Sequence, residues 1–213
     1  MSEWFIKYGN QLLTATLIHL LYVLICVSIA FVIALVCGIF LSRRPKLANM
    51  IVPILSIFQT IPGIVFIGIL FLYLGMTPTT VIVALTIYAT FPILKNTITG
   101  LREVPFEYVD AAKGCGMSAS QSLLLVELPL AMPSILGGLK MSTVYTVSWA
   151  ILASMIGQGG LGDFVYIGIS TNNAVLIVTG AIPAAIMAII FSLLLTRLQD
   201  KVKRRVNGKV VKS

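Results

Sequence analysis

The stretch LLYVLICVSIAFVIALVCGIFL, residues 20–41, carries no charged side chain. A helix that crosses the hydrocarbon of a bilayer needs about 20 such residues. Three more uncharged runs follow, at Met50–Leu94, Met141–Leu161 and Ala174–Thr196. The whole chain is 58% hydrophobic and 10% charged, against about 25% charged residues in a soluble domain. So apolar a chain cannot hide its side chains in one water-soluble core, so lipid must be the solvent for much of it. The run Met50–Leu94 is long enough for two helices, and Leu74-Gly-Met-Thr-Pro78 is a turn composition inside it. The sequence therefore predicts an all-α integral membrane protein, one domain over 1–213, with five spans at about 17–41, 50–74, 79–99, 132–156 and 174–197.

The net charge of +8 is not a nucleic-acid signal, because no soluble basic face with interleaved aromatics accompanies it. It marks orientation instead. With Arg43, Arg44 and Lys46 placed in the cytoplasm, five spans put the N-terminus outside and segment 100–131 and the basic tail 198–213 inside. Of the 15 Lys and Arg, only Lys7 then lies outside, which is the positive-inside pattern. The first run is too long for a cleaved signal peptide, its basic cluster follows it, and no A-x-A site ends it. Val36 before Cys37 spoils a lipoprotein box. Cys26 and Cys37 on one helix sit about 16 Å apart along its axis, too far for a disulfide, and Cys115 is cytoplasmic. His19 is expected at the membrane interface. No His/Cys/Asp/Glu group has metal-ligand spacing.

Between spans four and five, Gly157-Gln-Gly-Gly-Leu-Gly162 fits the dinucleotide pattern G-x-G-x-x-G. It follows a spanning helix rather than a strand and lies on the outer side, where no nucleotide pool exists. The sequence instead predicts that Gly157, Gly159, Gly160 and Gly162 end span four and allow a tight turn. With Asp163, Asn172 and Asn173 they make the longest external loop, a candidate gate or partner contact.

Segment 100–131 carries the sharpest signal. Leu101–Gly114 reads as a helix with Pro105 in its first turn and Gly114 at its stop. Glu103, Glu107 and Asp110 recur at i, i+4 and i+7 along one face. Gly114-Cys-Gly116 is a joint. Ser118-Ala-Ser-Gln121 is a capping box opening a second helix, which Pro129 and Pro133 are expected to end. Solvated connectors on the membrane surface would be the plainer reading. Two capped helices, with small Ala111 and Ala112 beside an acid, look built to fit a partner's groove.

Asp110-Ala-Ala-x3-Gly116-x9-Val126-x-Leu128-Pro129 resembles the coupling loop of ABC importer permeases, usually written E-A-A-x3-G-x9-I-x-L-P. Asp110 stands for Glu and Val126 for Ile. The resemblance implies the ABC importer permease fold, with a pair of coupling helices that dock on an ATP-hydrolysing subunit through Glu103, Glu107, Asp110, Ala111, Ala112, Gly116, Val126, Leu128 and Pro129. Gln59-Thr-Ile-Pro-Gly63, Val126–Pro133 and Ile156–Gly162 resemble more narrowly the permeases of osmoprotectant importers for glycine betaine, carnitine, choline and related amines. Five-span permeases for methionine, and a branch for ergothioneine, share parts of these segments.

The resemblance implies a bacterial cytoplasmic-membrane subunit that catalyses nothing itself. It works with two ATPase copies, a second identical or similar permease chain, an extracellular binding protein and membrane lipid, and without nucleic acid. The chain has no G-x-x-x-x-G-K-[ST], so ATP and Mg would sit on the partner and no cofactor on this chain. Gly63, Gly68, Gly137, Gly138 and Ala150 are candidates for the contact between permease chains.

A quaternary ammonium donates no hydrogen bond and is held by aromatic faces. The mid-span residues Phe58, Gln59, Tyr88, Tyr145 and Trp149, with Pro62 able to open its helix, are the candidate translocation path; ordinary packing is the plainer reading of each. Lys95 and Lys140 sit near span ends and can snorkel. An ion-coupled secondary transporter would want buried acids or His in its spans, and inverted repeats. A membrane enzyme would want paired carboxylates or a His constellation. Neither pattern is present.

Overall fold

The computed structural model describes residues 2–210, with side chains from residue 8 onwards except 207, 209 and 210. The end of the basic tail, 211–213, and the side chain of Lys7 lie outside the described residues. The chain begins with one long helix, α1 (Ser2–Ser42), about 60 Å from end to end. A short corner at Arg43–Arg44 leads to α2 (Pro45–Thr60) and α3 (Gly63–Leu74), and α4 (Pro78–Arg102) follows. Then come α5 (Phe106–Gly114) and α6 (Ala119–Ser122), a π-helical turn (Leu123–Glu127), α7 (Leu128–Ala150), and a 3₁₀ turn (Ile151–Ile156). The chain closes with α8 (Gly162–Ser170) and α9 (Ala174–Val210).

Helices α4 and α7 form the centre. α1 packs on both, α9 packs on α7, and α8 rests against α9. Close approach at the centre uses small residues. A Cβ on Gly138 would lie 2.7 Å from the Pro92 carbonyl oxygen and from Asn96 Cβ. Polar groups there turn onto backbone: Ser142 donates to the Ala89 carbonyl at 2.7 Å, and Ser134 to that of Asn96 at 3.2 Å. Such bonds satisfy groups that hydrocarbon would leave stranded. The outer faces of α1 and α9 are apolar and exposed, as at Leu13, Leu17, Leu21 and Leu24, or Ile182, Ile186, Ile189 and Leu193. These are the lipid-facing surfaces.

Among the described residues four helical stretches are long and apolar enough to cross a membrane, and a fifth crossing exists if α2 and α3 count together. That pair is not the single helix expected at 50–74. It bends by 94° at Ile61–Pro62. Ile61 is extended (φ −66°, ψ 125°), as the residue before a proline prefers.

The coupling segment also departs from expectation. α4 stops at Arg102 with Glu103 as its C-cap, and Pro105 is the N-cap of α5 rather than part of its first turn. Val104, preceding the proline, breaks the helix, so Glu103 does not share one helix face with Glu107 and Asp110. The second coupling helix does not end at Pro129 or Pro133. The chain stays helical from Ala119 to Ile156. The π turn explains this: Leu128 donates its N–H to the Leu123 carbonyl, five residues back. A wider turn relieves the clash between a proline ring and the carbonyl four residues earlier.

Two smaller expectations fall as well. The external loop contains a helix, α8. His19 is not interfacial but fully buried, with Nε2–H donating to the Val147 carbonyl at 3.0 Å.

Candidate functional site

Two places bring the predicted residues together. The first is the end of the bundle that carries Arg43, Arg44 and Lys46. There Ser118 caps α6 in both directions: Gln121 N–H donates to Ser118 Oγ at 3.3 Å, and Ser118 N–H donates to Gln121 Oε1 at 2.8 Å. Gly116 takes φ +77°, a left-handed conformation that costs any L-residue but glycine. Glu103, Glu107, Asp110, Ala111, Gly116 and Pro129 are exposed, Val126 and Leu128 are half-buried, and Ala112 is buried. Ala112 thus packs inside the chain and offers no surface to a partner. Phe106, Leu124 and Leu125 are exposed on the same segment, and the sequence reading passed over them. Apolar side chains set among acids in a polar segment were the available signal.

Behind this surface lies a residue that the motif leaves unspecified. Glu127, the last residue of the π turn, is 5% exposed. Its Oε1 accepts from Arg43 at 2.7 Å and from the Ser122 hydroxyl at 3.2 Å. It is the only ion pair among the described residues. Nothing in local spacing could reveal a pair formed across 84 positions.

The second place is the α2–α3 bend. Tyr88 on α4 donates its hydroxyl to the Ile61 carbonyl at 2.7 Å. Gln59 donates its amide to the Tyr88 carbonyl at 3.4 Å. The two bonds tie the bend to α4. Around them runs a line of rings. Phe58 meets Phe66 edge-on at 6.4 Å, Phe66 meets Tyr88 at 5.2 Å, Tyr88 meets Trp149 at 4.1 Å, and Trp149 meets Tyr145 at 6.2 Å. All six predicted path residues, Pro62 among them, converge here. Phe66 joins them unforeseen. Tyr88 is buried, Trp149 is half-buried, and Phe58 and Tyr145 are exposed at the two ends of the line.

The glycines of the GQGGLG turn behave as turn formers. Gly157, Gly159 and Gly160 have φ of +69°, +74° and +102°. Gly162 has no room for a Cβ, because it would strike the Ile151 carbonyl and Ser154 Oγ. Gln158 donates to the Met76 carbonyl at 2.9 Å, which fastens the turn to the α3–α4 connection. Gly159 and Gly160 line a cavity of about 490 Å³ between the start of α1 and α8. Asp163 also faces that cavity, and burial pushes its carboxyl above the usual range, against a smaller downward pull from Ser154.

Of the residues considered for a contact between two chains, four are already used within one. Gly63 faces Leu152, Gly137 faces Gln199, Gly138 faces α4, and Ala150 is buried. Only Gly68 has open space around it. Lys95 is exposed, and Lys140 reaches Thr196 at 3.5 Å.

Residues 30–208 match the family described as binding-protein-dependent transport system inner membrane component. The chain belongs to that family. The permease is similar to the carnitine transport permease protein OpuCB of Listeria monocytogenes, with 38% identity over 92% of this chain and 90% of that one. It is similar to the choline transport system permease protein OpuBB of Bacillus subtilis, with 39% identity over 91% and 89%. Its fold is similar to a chain of the MetNI methionine ABC transporter in an inward-facing conformation (TM-score 0.81, 24% identity, covering 92% of this chain and 98% of that chain). The permease is a transport component and not an enzyme: it is a membrane-embedded subunit of an ABC system that depends on a binding protein.

Proposed function

We propose that this permease forms the translocation path for a quaternary-amine osmoprotectant of the glycine betaine, carnitine or choline type. The aromatic line at the α2–α3 bend carries the reading. Such a solute brings a cation that cannot donate hydrogen bonds, and a ring face attracts it by about 2 kcal/mol where water is excluded. The carnitine and choline permeases among its relatives support the same class. Trp149 and Tyr145, whose ring planes lie within 33° of each other, would take the cation. Tyr88 would hold the bend rather than the solute, since its hydroxyl is occupied.

In this reading the Arg43 end faces the cytoplasm. Two copies of an ATP-hydrolysing subunit, which hold the ATP and Mg, dock on Phe106–Ala111 and Leu124–Leu125. A second permease chain, identical or similar, completes the path, and an external binding protein delivers solute at the opposite end. Closure of the ATPases then rocks the spans and exposes the path to alternate sides.

The test is purification of the tagged permease with its partners, then uptake of labelled betaine or choline into proteoliposomes. An ATPase should co-purify with the native chain and be lost with Asp110→Arg. Trp149→Ala should leave the assembly intact and raise the uptake KM about tenfold or more, the loss of roughly one good cation–π contact. If no ATPase co-purifies, the docking reading fails. If Trp149→Ala leaves KM unchanged, the aromatic line is not the path.

A further inference from the structure

The ion pair between buried Glu127 and half-exposed Arg43 has no part in the docking surface itself, and its position is specific. Glu127 closes the π turn, against which α5 packs. Arg43 belongs to the two-residue corner between α1 and α2. A π turn is a helix with one residue too many, so it has an alternative register one residue away. Moving the extra residue past Glu127 would swing that side chain by about 100° about the helix axis, while the helix on either side keeps its orientation. An element with two discrete arrangements is what a packed protein needs to pass a movement on.

We propose that Arg43 and Glu127 are positioning residues that form a joint between the coupling segment and the α1–α2 corner. A shift of α5 and α6 is carried through Glu127 to Arg43 and along α2 to the bend at Ile61–Pro62, where Tyr88 and the rings sit. The geometry favours this pair as the joint for two reasons. Glu127 Oε1 accepts from both its own helix, through Ser122, and the corner, through Arg43, so it pins two elements at one atom. Arg102 adds only a weak, exposed bond from α4 to Asn49 on α2, at 3.3 Å. Removing Arg43 leaves the carboxylate buried with one neutral donor, so the π turn loses its anchor and not merely a surface charge.

This inference rests on the ATPase-docking reading, and the experiment separates the two. The native complex and its Arg43→Gln, Glu127→Gln and doubly substituted forms are reconstituted in proteoliposomes. Solute taken up per ATP hydrolysed is measured with co-purification of the ATPase. The expected result is that the ATPase still co-purifies and hydrolyses ATP, while uptake per ATP falls about tenfold in either single variant. Because the pair acts as one joint, the double variant should fall no further than the worse single, and Arg43→Lys should recover most of the ratio. Failure of the ATPase to co-purify with the native chain would sink the docking reading. With co-purification intact, a native ratio in Arg43→Gln, or additive losses in the double variant, would overturn the joint. Should Glu127→Gln not assemble, Arg43→Gln against Arg43→Lys decides alone, since Arg43 is half-exposed and its loss leaves no cavity.

Discussion

Pro62 and Pro129 follow the same rule of chain geometry to opposite ends. The residue before Pro62 is extended and the helix turns through 94°. The residue before Pro129 is α-helical (φ −61°, ψ −46°) and the helix runs on. A proline removes one donor and crowds one carbonyl wherever it stands. What differs is what the surroundings offer. At 61, an outside hydroxyl, from Tyr88, takes the freed carbonyl, so the chain can afford to break. At 128, a π turn supplies the N–H of Leu128 with an acceptor five residues back, and Glu127 is held from two sides, so breaking would cost more than widening. A proline therefore states a difficulty, and distant neighbours choose the solution.

The largest effect should come from removing the widened turn. Deleting exposed Leu124 converts π to α and puts the Pro129 ring back against the carbonyl four residues earlier, at a cost of about 3 kcal/mol or more. It should abolish uptake while the spans still unfold cooperatively; uptake near the native rate would mean that the π turn is not what reconciles Pro129 with a continuous helix. Next is Tyr88→Phe, which strands the Ile61 carbonyl without changing the ring. It should destabilise the permease by about 1–3 kcal/mol and lower the thermal midpoint in detergent by several degrees. A midpoint identical to native would leave the bend without its stated support. The smallest effects should be at the prolines themselves. Pro129→Ala should change stability by well under 1 kcal/mol. Pro62→Ala should keep the bend, because Gly63 and Tyr88 still favour it, as judged by the distance between spin labels at positions 54 and 72. A straightened helix in Pro62→Ala would make the proline, not its neighbours, the cause.

The membrane class and the helical content follow directly from uncharged runs, because hydrocarbon admits few other solutions. The coupling segment was legible for a related reason. Capping and turn glycines are local: Ser118 and Gln121 form the capping box and Gly116 supplies the left-handed residue, whereas Gly114 is still helical and Glu103 falls outside α5. The path residues were legible only as a set of mid-span rings; their convergence depended on α2, α3, α4 and α7 meeting, and Phe66 entered with them. Contacts across the sequence were hidden altogether. His19 was read as interfacial because its acceptor is the Val147 carbonyl, and no pattern near residue 19 points there. Gly137 and Gly138 were read as surfaces between chains because the sequence cannot tell a close approach within one chain from one between two.

The four crossing helices do not share their surroundings equally. In α1 and α9 the greater part of the apolar surface faces outward, whereas α4, with Thr80, Thr86, Thr90, Asn96 and Thr97, is the most enclosed of them. With α4 alone in lipid, Thr90, Asn96 and Thr97 would still bond to α4's own carbonyls four residues back, but these polar groups would face hydrocarbon where in the finished bundle they face protein. Its membrane insertion is thus favoured by the earlier presence of α1, which the growing chain delivers first, and is completed only when α7 arrives to cover it. The order of helices along the chain is then also an order of assembly, with the greasiest segment entering first as the wall against which the polar one is built.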